Sequence, residues 1–191
     1  MRIFFNAMTP SAVLFVISSA LAAPESFTID PNHTFPIFEA SHFGISIQRG
    51  RFDKTAGKIV LDREAKSGSI EVNIDTASID MGFEDWNNHM KGEDFFNVEK
   101  FPSMTFKSTK LIFEDDKIVG ADGEFTLLGV SKPLRIKVSN FACTEHPMLK
   151  KLYCGAEVTA EIKRSDFGMK IGIPIVGDEI RLLSPVEAIK D

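Results

Sequence analysis

The chain has 191 residues, with 22 basic and 27 acidic side chains, a formal charge of −5, and two cysteines. That length suits one domain. The acidic balance, with no basic cluster set against it, argues against holding nucleic acid or an anionic membrane through bulk electrostatics.

Residues Met1 to Ala22 read as a secretory signal. Arg2 precedes an apolar run from Ser11 to Leu21 that is too short to span a bilayer, and Ala20-Leu21-Ala22 meets the small-x-small cleavage rule. No cysteine lies near that point, which argues against a lipoprotein. Cleavage would remove Arg2 and no acid, so residues 23–191 keep 21 basic and 27 acidic side chains, a charge of −6. Export to the periplasm makes a disulfide the expected state of Cys143 and Cys154. In the chain-entropy picture, closing so short a loop is worth roughly 2–4 kcal/mol. The spacing of the pair fits neither a redox CxxC motif nor a zinc site.

Strands dominate the chain beyond residue 26. Phe27 to Asp30 reads as the first, and Pro31-Asn-His33 turns the chain. Thr34 to His42 is extended, with Pro36 placing it near an edge or a bulge. Gly44 breaks the run and Ile45 to Phe52 resumes it. Asp53 to Gly57 reads as a turn, Lys58 to Asp62 as a strand, and Ala65 to Gly68 as another turn. Ser69 to Asp75 alternates most cleanly, with Ile70, Val72 and Ile74 opposite Glu71, Asn73 and Asp75.

From Asp85 to Phe101 the alternation stops. This insert holds the only Trp, Trp86, one of four His, His89, and the adjacent pair Phe95 and Phe96. Trp86 to Lys91 has room for one or two helical turns, capped by Asp85 and ended by Gly92. Strands return at Pro102 to Ser108, at Lys110 to Glu114 with Ile118–Val119 as a hairpin, and at Gly123 to Leu128. Gly129 to Pro133 reads as a loop. Leu134, Ile136 and Val138 then share one face, as do Ala156, Val158, Ala160 and Ile162, and Ile180 to Ile189 is the last strand.

Eight or more strands without a long helix give an all-β fold. An open sheet of that size exposes its edges, so the expected architecture is a single closed antiparallel β-barrel over 23–191 with a short helical insert. Seventeen Phe are more than a core of this size requires, and the surplus suits the lining of a cavity.

The order and spacing of several short motifs resemble the YceI family of bacterial secreted and periplasmic proteins. They are Asp30-Pro-x-His33-Thr, Phe38 with His42-Phe-Gly44, Arg49-Gly-x-Phe52, Gly57-Lys-Ile and Ala77-Ser-Ile-Asp80. They continue with Asn88-His-Met90, Asp94-Phe-Phe96, Phe101-Pro-x-Met-x-Phe106, Gly129-Val-x-Lys-Pro133 and Arg164-Ser-Asp-Phe-Gly168. The resemblance covers essentially all of the chain after residue 22. It implies an extended, lipocalin-like barrel whose apolar cavity holds a polyisoprenoid or another long-chain amphiphile. The chain departs from the family in the insert. Many members carry an Arg–Asp pair where this sequence reads Trp86-Asn-Asn-His89-Met90, so a charge that would meet a phosphate is missing there.

The residues expected at the ligand are Phe38, Trp86, Asn88, His89, Phe95, Phe96 and Phe106. For Asn87, Asn88 and His89 the competing role is to satisfy backbone groups of an irregular segment. His33, His42 and His89 show no metal-binding spacing, and no metal or cofactor is expected. Arg164-Ser-Asp166 lacks a G-x-S-x-G elbow and reads as a turn, with Asp166 capping it and an Arg164 ion pair pinning the barrel rim. The expected function is carriage of a hydrophobic small molecule without catalysis, with no stable membrane insertion. Homodimer formation would cover an apolar mouth. The rival readings are an enzyme acting on such a lipid and a stress-related interaction protein whose barrel is filled by side chains.

Overall fold

The computed structural model describes residues 23–191, and the signal expected over 1–22 lies outside them. Its eleven strands are β1 (Glu25–Ile29), β2 (Ile37–His42), β3 (Ser46–Phe52), β4 (Thr55–Asp62), β5 (Ser67–Asp75), β6 (Ile79–Asp80), β7 (Ser103–Glu114), β8 (Lys117–Leu127), β9 (Val130–Glu145), β10 (Leu152–Lys163) and β11 (Val176–Lys190). The single helix among the described residues, α1, spans Glu84–Lys91.

The strands β1-β4-β5-β7-β8-β9-β10-β11 form a ring of eight that closes where β1 pairs antiparallel with β11. Closure removes the edges that an open sheet would expose. One neighbour of β11 changes along its length. Val176 to Leu183 face β2, whereas Ala188 to Lys190 face β1. From β2 the sheet continues into β3 and then β6.

The break between β1 and β2 leaves backbone groups of β11 without a strand partner, and Thr34 supplies one. Its hydroxyl accepts from the Glu187 N–H at 3.0 Å and donates to the Glu187 carbonyl at 3.2 Å. The Asp30 N–H donates to the same carbonyl at 2.8 Å. Pro185 lies in this gap. Backbone N–H groups along a strand point alternately to its two neighbours. The proline ring nitrogen therefore points to the side the Glu187 N–H points to, where no ladder bond is lost.

Several expected boundaries move. The turn at Asp53 to Gly57 is shorter, because Thr55 already pairs with Ile74. The two pieces expected around Thr109 are one strand, β7, with a register shift between Ser108 and Lys110. Gly123 lies inside β8, and Val130 to Pro133 belong to β9, opposite Glu124 to Leu127. Asp85 is not the helix cap. Phe83 holds that position without a side-chain bond, and Asp85 joins Glu84 in the first turn, where carboxylates favour the helix dipole.

Cys143 and Cys154 stand opposite each other on β9 and β10 and form a disulfide. It clasps the hairpin at the end of the barrel that also holds the chain's C-terminus.

Candidate ligand-binding cavity

Strand alternation sends every second side chain inward. On β10 these are Cys154, Ala156, Val158, Ala160 and Ile162, and on β11 they are Ile180, Leu182, Ser184, Val186 and Ala188. They face Ile70, Val72 and Ile74 of β5 and Met104 and Phe106 of β7 across a cavity of about 240 Å³. Along β11 the lining runs from Val176 to Ala188, about 40 Å of strand at 3.3 Å per residue. At a strand tilt near 40° this is a tunnel of roughly 30 Å along the barrel axis.

The insert furnishes one end. Met90, the buried residue of α1, reaches the lining together with Phe95 and Phe96. The Phe96 ring lies 5.2 Å from Phe52 and 6.0 Å from Phe38, edge-on to the first. Phe38 itself rests on the backbone of β3. A Cβ added at its cross-strand partner Gly50 would come 2.6 Å from the Phe38 ring and 2.3 Å from Met81 Sδ. Phe106 lies on Gly123 of β8 in the same way, with its ring 2.6 Å from a virtual Cβ. Glycines at these two points let the rings lie flat against the wall.

Four of the seven residues expected at a ligand thus line one cavity: Phe38, Phe95, Phe96 and Phe106. Trp86, Asn88 and His89 do not belong to the lining. Trp86 is half-buried, with its ring 5.6 Å from the exposed Phe83, while Asn88 and His89 point outward from α1. The His89 ring meets the edge of Phe95 at 4.9 Å. Their neighbour Asn87 has the backbone role, its Oδ1 accepting from the Met81 N–H at 2.6 Å.

Polar groups in the lining are few, and two threonines differ. Thr34 is committed to Glu187. The Thr55 hydroxyl is buried with no hydrogen-bond partner among the described residues. Among the described residues, the one charged side chain in the lining is Arg164. In place of the expected ion pair, its guanidinium donates to the carbonyls of Gly177 at 2.8 Å, Val176 at 2.9 Å and Met169 at 3.3 Å. Burial lowers its pKa from the usual arginine value, with Asp178 opposing. The turn after β10 is capped by Asp178, not Asp166. Asp178 accepts from the Ser165 N–H at 2.9 Å and the Ser165 hydroxyl at 2.8 Å, and these bonds hold its carboxyl below the usual range. Ser165 is thereby occupied, and among the described residues its side-chain partner is the Asp178 carboxylate and not an imidazole.

A second polar cluster lies on the outer face, beyond β1. Asp30 accepts from His33 Nδ1 and from the Tyr153 hydroxyl, both at 2.8 Å, and Tyr153 also bonds Glu187. Burial works to raise the Asp30 carboxyl, but the bonds from His33, the Asn32 N–H and Tyr153 outweigh it and hold the pKa low. The bond to Asp30 raises His33. Burial, with the bonds to Glu187 and Asp30, raises Tyr153. Asp30, His33 and Glu187 are close enough to share a cation. Their facing atoms are instead bound to one another and to Tyr153, which makes the cluster a clasp over the β1–β2 break.

A family model for the YceI-like domain matches residues 27–188. The chain is 32% identical over 185 residues to a UPF0312 protein of Pseudomonas aeruginosa strain LESB58, covering 96% of each. The crystal structure of the YCEI protein of Campylobacter jejuni superposes with a TM-score of 0.66 at 29% identity, covering 79% of this chain and 90% of that one. A structure described as a polyisoprenoid binding domain from Saccharophagus degradans also superposes with a TM-score of 0.66. At 16% identity, covering 86% of this chain and 98% of that one, it shares the fold.

Proposed function

The chain belongs to the YceI-like domain family, and on that premise we propose that it binds and carries a long-chain amphiphile through the aqueous periplasm without chemical conversion. The observation that carries the reading is the cavity itself. It is long and apolar, and the single cation of its lining among the described residues already donates to three backbone carbonyls. The polyisoprenoid-binding domain of Saccharophagus degradans has the same architecture, which supports a prenyl or acyl chain as cargo.

Burial drives binding. Each Å² of apolar chain removed from water contributes about 25 cal/mol. That contribution accepts many chain types, so selection rests on length and width. The insert supplies no cation at Asn87 or Asn88, and Arg164 is already engaged. A neutral head group therefore suits the site better than a diphosphate, whose desolvation would go uncompensated. The periplasmic location rests on the leader-like residues 1–22, and N-terminal sequencing of the protein from a periplasmic fraction checks it.

The test is native mass spectrometry of the full chain expressed in a bacterium and recovered from the periplasm, followed by solvent extraction. The expected result is a single stoichiometric prenyl or acyl species. A clean ligand-free mass, unchanged after exposure to a bacterial lipid extract, overturns the carrier reading and favours an interaction protein.

A further inference from the structure

Most of the large apolar side chains exposed among the described residues gather at one end of the barrel, with Phe83, Met148 and Leu149 lying elsewhere. The β2–β3 turn and the start of β3 present Phe43, Ile45 and Ile47, and the segment entering β11 presents Ile171, Ile173 and Ile175. All six are exposed, Ile45 at 86% and Phe43 at 61%. Pairing of His42 with Val176, and donation from the Phe43 N–H to the Ile175 carbonyl at 2.8 Å, join the two segments into one surface. The six side chains thus form one apolar patch at the tips of a rigid frame, and exposed groups of this size mark interaction sites.

Charge sharpens the assignment. Residues 40–48 and 167–177 contain no Asp or Glu, although 27 acids in 191 residues would place about three in a stretch of that length. They contain one cation, Lys170, and Arg49 follows. Four acids flank these stretches: Asp166 is exposed at the turn before Phe167, and the other three have cationic or hydroxyl neighbours. Glu39 is paired with Arg49 and Arg181, Asp178 with Ser165, and Glu179 stands opposite Lys163. A chain whose overall charge would keep it off an anionic surface therefore has a tip where that repulsion is weakest, with no acid within either stretch. The patch is continuous with the cavity wall, because Met169 and Val176 of the same segment line the interior.

We propose that this end of the barrel docks on a phospholipid bilayer, with Phe43, Ile45, Ile47, Ile171, Ile173 and Ile175 dipping into the interfacial zone and Lys170 meeting lipid phosphates. Side chains of this kind insert about 5–10 Å below the head groups without spanning the membrane. The cavity then lies against the lipid phase in which an amphiphilic cargo dissolves. Docking deepens the carrier reading and rests on it for its purpose, while its physical basis is the surface alone.

The test is co-sedimentation of the full chain with vesicles of phosphatidylcholine, with and without phosphatidylglycerol. The wild type is expected to partition onto both, and more onto the anionic ones. The double variant Ile45→Asp/Ile173→Asp, whose sites lie outside the cavity lining, should partition at least about tenfold less on both. Lys170→Glu should lose the anionic increment alone. Near-ultraviolet circular dichroism establishes that the variants are folded, and a fluorescent prenyl probe reports the cavity separately. A double variant that binds the probe and not the vesicles establishes docking. A wild type that binds vesicles and no probe keeps docking and removes the carrier reading. Docking is overturned if the wild type stays in the supernatant or the double variant sediments like it. It is also overturned if the patch instead holds a second copy, seen as a concentration-dependent dimer that the double variant abolishes while neither protein binds vesicles.

Discussion

Thr34 and Thr55 are both buried threonines in the cavity wall, and their hydroxyls should act on stability with opposite sign. Thr34 closes the β1–β2 gap through two bonds to Glu187. Thr34→Val leaves the Glu187 N–H without its acceptor, while the carbonyl keeps the Asp30 N–H, a loss of about 1–3 kcal/mol. The Thr55 hydroxyl has no partner, so Thr55→Val removes only an unpaired polar atom and should be neutral or stabilising. Urea unfolding of the two variants decides it, and equal losses would contradict the assignment. His33 gives a pH dependence beside the same gap. Its pKa is raised above the ordinary 6.5, so its contribution is complete below that value and fades as pH climbs through the folded-state value. The Asp30 pKa is lowered below 3.8, so its contribution is present above 3.8 and fades as pH falls. The difference in melting temperature between wild type and His33→Asn should therefore be greatest near pH 5 and shrink above pH 7. A difference that grows with pH would contradict the clasp.

At the scale of elements, the wall depends on rings lying against bare backbone. Gly50→Ala brings a methyl onto Phe38 and Met81, and Phe38 cannot withdraw without disturbing Phe52 or Phe96. Overpacking of this kind costs about 1–3 kcal/mol, and the disturbed rings lie in the cavity wall. Reduced stability together with weaker retention of a prenyl probe is expected, and loss of stability alone would place the two rings outside the binding surface. These close approaches also show where sequence reading reaches its limit. Alternation in Ser69 to Asp75 and at Ala156 to Ile162 is visible because apolar and polar residues differ sharply on the two faces. The continuity of β7 through Thr109 is not visible, because the register shift there breaks the period. Pro185 lies inside the expected last strand, Ile180 to Ile189, and the change of neighbour from β2 to β1 is what makes it tolerable there. Within the insert, eight residues wind as a helix, so Trp86 and Met90 share the inner side and Asn88 and His89 turn outward. The helical turns expected over Trp86 to Lys91 are present, but assigning Trp86, Asn88 and His89 to one ligand site disregards the faces that a helix separates.

At the scale of the whole molecule, closure and cavity have one origin. Eight strands enclose more space than their inward side chains fill, because β10 brings Gly155, Ala156 and Ala160 to the wall instead of large residues. Small residues there trade packing for volume. Ala160→Phe reverses the trade, filling the middle of the tunnel at little cost where the ring finds free space and at the overpacking cost of about 1–3 kcal/mol where it does not. The tunnel is then shortened, so native mass spectrometry should show a long prenol lost from the variant while a short one is retained. The disulfide adds a separate constraint at the far end. It closes a loop between Cys143 and Cys154, so Cys143→Ser/Cys154→Ser should lower stability by about 3 kcal/mol through the unfolded chain. It should leave the long prenol bound, because the remaining strand pairing still holds the hairpin. If both variants lose the long ligand alike, the cavity responds to global loosening, and tunnel length is not what selects the cargo.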